Sequence, residues 1–126
     1  MVNVKADDLL QAAATVQQQC IALRALSDPL NDRQQNAIEE IIRAIDLFSG
    51  RVIDLTDMIE NHSDQIGTVS HRLRTPLVTI RGYPEMLLIG MYGTLTDNQQ
   101  DCVRQLDEAA NRLTSMIDTL FKNAGR

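Results

Sequence analysis

Three observations predict an all-α fold for this 126-residue chain. Apolar residues recur in alternating steps of four and three, the seam of helices packed through heptads. No stretch of useful length alternates apolar and polar residues with the period of two that a half-buried strand requires. Apolar residues make up 44% of the chain, yet aromatics are only 3% and tryptophan is absent, so the core must be built from Leu, Ile, Val, Ala and Met, as in helical bundles.

The elements can be taken in chain order. A first helical run is Leu9, Ala13, Val16, Cys20 and Leu23, stopped at Ser27-Asp28-Pro29-Leu30-Asn31-Asp32, where proline and several capping residues mark a turn. A second continues through Ile38, Ile41, Ile45, Phe48, Val52, Leu55 and Ile59. The third takes Ile66, Val69, Leu73, then Leu77 or Ile80, and Leu87. The segment Gly90-Met91-Tyr92-Gly93-Thr94 closes it, its glycines allowing the backbone to reverse. The fourth is Val103, Leu106, Ala110, Leu113, Ile117 and Leu120.

An internal repeat links the halves. Leu30-Asn31-Asp32-Arg33-Gln34-Gln35 matches Leu95-Thr96-Asp97-Asn98-Gln99-Gln100 at an offset of 65, with Asp32 and Asp97 read as N-terminal helix residues. At that offset His71 falls opposite Ala6. The expected organisation is therefore an N-terminal helical hairpin over 1–62, a degenerate repeat without the histidine, and a second hairpin over 63–126 that carries it. Two joints are open. An apolar register unbroken from Ile59 through His62 to Ile66 favours one long central helix and a four-helix bundle made by a homodimer. A reversal within Glu60-Asn61-His62-Ser63-Asp64 would instead close the bundle inside one chain, as a pseudo-dimer of the two hairpins.

The chain holds 12 basic and 17 acidic residues, a net charge of −5, which argues against a nucleic-acid binder that must neutralise phosphates over a basic surface. Cys20 and Cys102 lie in apolar runs without metal-ligand spacing, so both read as buried free thiols of a reducing compartment. The opening residues are too polar for a secretory signal, and no apolar run approaches the roughly 20 residues of a membrane span. A soluble, cytoplasmic protein is expected.

The chemistry concentrates in Ser70-His71-Arg72-Leu73-Arg74-Thr75-Pro76-Leu77. With Val69 and Leu73 toward the core, His71 lies two residues from each and faces outward. An imidazole offers a nucleophilic nitrogen there, and phosphoryl transfer needs an exposed, in-line approach more than covalent help from a scaffold. Pro76 lacks an N–H and presses on the carbonyl four residues earlier, that of Arg72, which predicts a bend just after the histidine. Pro84 is a second break, leading toward the unwinding at Gly90.

This stretch resembles the H-box of sensor histidine kinases, Ser-His-Glu-Leu-Arg-Thr-Pro-Leu, with seven of eight positions filled alike. Ile80-Arg81-Gly82-Tyr83-Pro84-Glu85-Met86-Leu87-Leu88 resembles the family's usual continuation past the box, and the run from Leu95-Thr96-Asp97 to Leu120 resembles its second helix. The likeness thus covers about residues 63–126, the dimerisation and phosphoacceptor domain. The resemblance implies a two-component signalling phosphoprotein. His71 would accept a phosphoryl group and pass it to an aspartate of a response regulator receiver domain. Thr75 would position water when the phosphorylated partner is hydrolysed. Arg74 would contact phosphate oxygens or form a salt bridge across the bundle. Arg72 departs from the family, which carries an acid there that takes the histidine's proton. Arginine cannot accept one, so weak autophosphorylation is expected, with phosphotransfer less affected.

No glycine-rich lid, N-box asparagine or Walker-type loop occurs. ATP is therefore expected to act only through an ATP-binding kinase domain, in cis or in trans, and no cofactor or metal is expected within the chain. Two other readings compete. A non-catalytic dimerisation or regulator-binding protein would retain the fold with a degenerate box. A monomeric histidine phosphotransfer protein would also expose one histidine on a four-helix bundle, but such proteins carry a lysine and glycine soon after it, and Arg-Leu-Arg-Thr follows His71.

Overall fold

A computed structural model of the protein describes residues 6–61 and 66–124, and the side chains of 6–54 and 70–121. Four helices appear in order: α1 (Ala6–Ala25), α2 (Asp32–Asn61), α3 (Ile66–Leu88) and α4 (Asp97–Ala124), with no strand among the described residues. The fold is the predicted all-α bundle of helical hairpins. Each helix packs against two neighbours, α1 on α2 and α4, α3 on α2 and α4. Cross-links between Arg24 and Glu39, Arg51 and Arg72, Arg74 and Asp118, and Cys102 and Gln19 run antiparallel at every interface. This is an up-down-up-down four-helix bundle closed within one chain.

That closure corrects the expectation of a continuous central helix. A guanidinium nitrogen of Arg51 lies 2.6 Å from the Arg72 carbonyl oxygen, so α2 and α3 lie side by side and the chain folds back between them. The residues expected to make that turn, including His62, Ser63 and Asp64, lie outside the described residues. An unbroken apolar register did not require an unbroken helix, because α2 and α3 both bury the same kind of stripe. The α3–α4 stripe is covered by hairpin α1–α2, so its burial needs no second copy of the chain.

Burial follows the predicted period. Leu9, Ala13, Val16, Cys20 and Leu23 of α1 are buried, as are Ile38, Ile41, Ile45, Phe48 and Val52 of α2. Leu73, Leu87 and both Leu77 and Ile80 are buried in α3, and Val103, Leu106, Ala110, Leu113 and Ile117 in α4. Leu120 is only half-buried, and Phe121 takes the core position instead. The side chains of Leu55, Ile59, Ile66 and Val69 lie outside the described residues. Pro84, expected as a break, lies inside α3, which continues to Leu88.

The hairpins bury matching positions. Leu9, Ala13, Val16 and Leu23 of α1 correspond to Leu73, Leu77, Ile80 and Leu87 of α3, each pair 64 apart in sequence. Ile38, Ile41, Ala44, Ile45, Phe48 and Val52 of α2 correspond to Val103, Leu106, Ala109, Ala110, Leu113 and Ile117 of α4, each pair 65 apart. The connection after α3 thus carries one extra residue. Hence the α1 counterpart of His71 is Asp7, not Ala6.

Both second helices start with a reciprocal cap. The Asn31 amide donates to Gln34 Oε1 (3.0 Å) while the Gln34 amide donates to Asn31 Oδ1 (2.8 Å). The Thr96 amide donates to Gln99 Oε1 (2.9 Å) while the Gln99 amide donates to Thr96 Oγ1 (3.2 Å). Each satisfies helix-end donors that would otherwise lack partners. The buried glutamines then reach across the bundle. Gln34 Nε2 donates to the Thr94 carbonyl (3.3 Å) and Gln99 Nε2 to the carbonyls of Asp28 (3.3 Å) and Pro29 (3.1 Å), each hairpin clasping the loop of the other. Thr94 and Pro29 are themselves 65 apart, so the exchange is two-fold in form.

The longer loop relies on its glycines. The Gly90 amide donates to the Leu87 carbonyl and the Met91 amide to the Met86 carbonyl, a Schellman ending with Gly90 at φ 82°. Gly93 has φ 112°, and a Cβ there would lie 2.6 Å from Asn31 Nδ2, which is held by its own bond to the Tyr92 carbonyl (2.8 Å). Gly93→Ala should therefore destabilise the fold by about 1–3 kcal/mol through backbone strain plus the displaced Asn31, visible as a lower urea midpoint with an unchanged slope.

Candidate functional site

The site is one exposed face of α3. His71 is exposed, as are Arg72, Arg74 and Thr75, while Leu73, Pro76 and Leu77 turn inward. Nothing among the described residues buries the imidazole or bonds to it. His71, Thr75, Val78 and Gly82 follow at steps of four, three and four, so they form one outward row along the helix.

The neighbours of the histidine are held in definite ways. Thr75 Oγ1 donates to the His71 carbonyl (3.0 Å), a bond back along the helix that keeps the hydroxyl one turn from the ring. Arg74 Nε donates to Ser70 Oγ (3.1 Å), and its Nη1 pairs with Asp118 of α4 at 2.8 Å. The salt bridge considered for Arg74 is thus present, with half its side-chain surface in solvent, so it contributes at most about 1 kcal/mol. An anion that displaced Asp118 would meet a charged donor at small cost. The Arg72 guanidinium makes no ion pair or hydrogen bond among the described residues, so its charge stays unpaired at the position after His71. The four positions singled out in the sequence therefore lie within two turns of one another on α3.

Below the histidine, α3 and α4 enclose an open groove of about 460 Å³, lined in part by Leu77, Val78, Arg81, Gly82 and Thr114. Val78 is 73% exposed, and Met86, Ile89 and Met91 are further exposed apolar residues toward and just past the C-terminal end of α3. No Cβ contact lies within 4 Å at Gly82, so this glycine leaves the groove floor low. Asp107 of α4 lies near Glu85 and Arg81, and its carboxyl is raised above the usual range by partial burial first and by Glu85 second. This exposed apolar surface was the part of the site that periodicity did not single out. It is visible in sequence only as Val78, Met86 and Ile89 lying off the core stripe.

The cysteines belong elsewhere. Cys20 is buried between α1 and α4, and burial, with Cys102 adding to it, pushes its thiol up to about 12. Cys102 is half-buried rather than buried, its thiol directed at the Gln19 carbonyl (3.7 Å) and likewise raised by burial. Neither is a nucleophile near neutrality. Among the described residues no group of His, Cys, Asp and Glu could hold a metal ion, and no helix is long and apolar enough to cross a membrane.

Comparison with known proteins agrees with the geometry. Residues 61–122 match the family described as His Kinase A (phospho-acceptor) domain. Over 82 residues the chain is 32% identical to sensor protein SrrB of Staphylococcus aureus strain NCTC 8325 / PS 47, and equally to that of strains COL and N315. The alignment takes in 60% of this chain but only 14% of each relative, so the chain spans a small part of their length. No solved structure matches the chain.

Proposed function

Residues 61–122 belong to the His Kinase A phosphoacceptor domain family, and from that premise we propose that His71 accepts a phosphoryl group and relays it to a response regulator. The observation that carries this reading is the exposed imidazole above an open, partly apolar groove on the same helix face. An imidazole nitrogen attacks the phosphorus of the donor, a P–O bond to the donor's leaving group breaks, an N–P bond forms, and the ring's N–H proton leaves to solvent or a base. In the second step a receiver carboxylate oxygen attacks the same phosphorus, the N–P bond breaks, and the imidazole takes a proton back. Both steps need in-line access and charge stabilisation, which an exposed helix face flanked by arginines supplies.

The residues divide the work. Arg74 would leave Asp118 to meet phosphoryl oxygens, and the unpaired charge of Arg72 would hold them close to the ring. Thr75, released from the His71 carbonyl, would orient water for hydrolysis of the phosphorylated partner. The receiver would dock in the α3–α4 groove, where Val78 and the neighbouring apolar side chains give it a dry contact and Arg81 and Glu85 a polar rim. ATP would enter through an ATP-binding kinase domain acting on this surface. A cytoplasmic location fits that partnership.

The test is direct. The chain is incubated with several phosphorylated receiver domains, and acid-labile label is followed on wild type and His71→Gln. Label on wild type alone supports the reading. Silence from every receiver, or equal label on the variant, removes it and leaves a non-catalytic regulator-binding scaffold.

A further inference from the structure

The carbonyl of Arg72 has a gap in its hydrogen bonding that the sequence itself creates. In a regular helix it would accept from the amide of residue 76, but residue 76 is proline and has no N–H. A guanidinium nitrogen of Arg51, from the middle of α2, fills the vacancy at 2.6 Å. The bond is charge-assisted and short, and it ties the backbone next to His71 to the other hairpin.

The two-fold correspondence of the hairpins supplies a control inside the same molecule. By the buried registers, Pro76 corresponds to Ala12, Arg72 to Asp8 and Arg51 to Met116. Alanine keeps its amide, so α1 has no equivalent gap, and methionine has no proton to donate. Arginine and proline therefore face each other only across the α2–α3 interface, beside the histidine, and not across the equivalent α1–α4 interface. A general packing role for residues at these two positions would give no reason for that coincidence.

The geometry points to Arg51 as a positioning residue for phosphoryl transfer at His71: by holding the carbonyl that Pro76 leaves open, it fixes α3 at the proline nearest the histidine. The imidazole's aim relative to the α3–α4 groove then depends on hairpin α1–α2. The assignment rests on the phosphoacceptor reading above for its purpose, but the latch itself is a statement about the packing of α2 on α3.

Amide hydrogen exchange on the full chain tests the latch, and receiver-to-His71 transfer tests its purpose. In Arg51→Met, exchange of the amides of Leu73, Arg74, Thr75 and Leu77 should rise about fivefold, the change expected for losing one hydrogen bond, with α1 and α4 unaffected. Arg51→Lys, which keeps a charged donor, should recover most of the protection. In Pro76→Ala, which restores the helix amide, adding Arg51→Met should change nothing further. Transfer at saturating receiver should fall about fivefold in Arg51→Met while receiver affinity holds within about twofold, since aim and not docking is lost. Unchanged exchange in Arg51→Met, the same rise in the Pro76→Ala background, or transfer at the wild-type rate each overturns the proposal. Variants that show the exchange pattern while the wild-type chain accepts no label on His71 would retain the latch and refute the phosphoacceptor reading instead.

Discussion

Arg72→Glu should raise phosphorylation of His71 by about 10²–10⁴-fold when an ATP-binding kinase domain is supplied in trans, the range spanned by a well-placed general base. The side chain at 72 is exposed, follows His71 directly in sequence, and takes part in no ion pair among the described residues. Its replacement therefore breaks nothing in the bundle, and folding should be unchanged within about 0.5 kcal/mol, as for surface positions of this kind. Glutamate adds the proton acceptor that arginine cannot be. Arg72→Ala separates the two effects, since it removes the positive charge without adding a base. If alanine gains as much as glutamate, the cation was inhibiting and no base is needed at 72. If glutamate alone gains, the missing proton acceptor is what limits this site. Arg72→Glu combined with His71→Gln should give no label at all. A glutamate variant that stays dark beside a competent kinase domain would favour the regulator-binding scaffold, because both the nucleophile and its base would then be present without result.

The parts of this molecule readable in advance are those set by local period and local caps. Buried positions in α1, α2 and α4 followed the apolar steps because a helix that packs on two neighbours must bury one stripe. His71 was placed outward by the same phase. The period fails where neighbouring residues are both apolar: Leu120 and Phe121 differ by 100° of helix rotation, and only the neighbours decide which goes in. It also cannot tell a long helix from two that fold back, since a stripe of the same phase serves both. The contacts made over long sequence separations left no local mark. Gln34 and Gln99 are recognisable as cap residues, but their bonds to loops about 60 to 70 residues away are not, and neither is the bond from Arg51 to Arg72. The repeat was legible but its offset was one residue wrong in the first helix of each hairpin, because the matching motif LxDxQQ lies beyond the extra residue of the longer connection.

Gln99→Leu should destabilise the bundle by roughly 3 kcal/mol, one hydrogen bond's worth for each of the three that the side chain makes. The size and shape of leucine suit the site, so little of the loss comes from a cavity. What changes is that the Thr96 amide and the carbonyls of Asp28 and Pro29 lose a partner at a position that is 1% exposed. Gln34→Leu should cost less, about 2 kcal/mol, since Gln34 accepts from the Asn31 amide and donates to one carbonyl across the bundle. Gln99→Glu gives the chemical control. Its carboxylate still accepts from the Thr96 amide but has no proton for the two carbonyls, which lie within hydrogen-bond reach and repel it. Burial and those carbonyls raise the folded carboxyl above its unfolded value of about 4.3. Stability relative to wild type is then fully present below that unfolded value and lost as pH rises through the folded one. Urea unfolding at pH 7 and near pH 4 distinguishes the cases: the glutamate variant should approach wild type on acidification, whereas the leucine variant should stay at a constant difference. A glutamate variant with no such recovery would mean that the clasp between the hairpins is held by packing around Gln99 and not by its hydrogen bonds to the opposite loop.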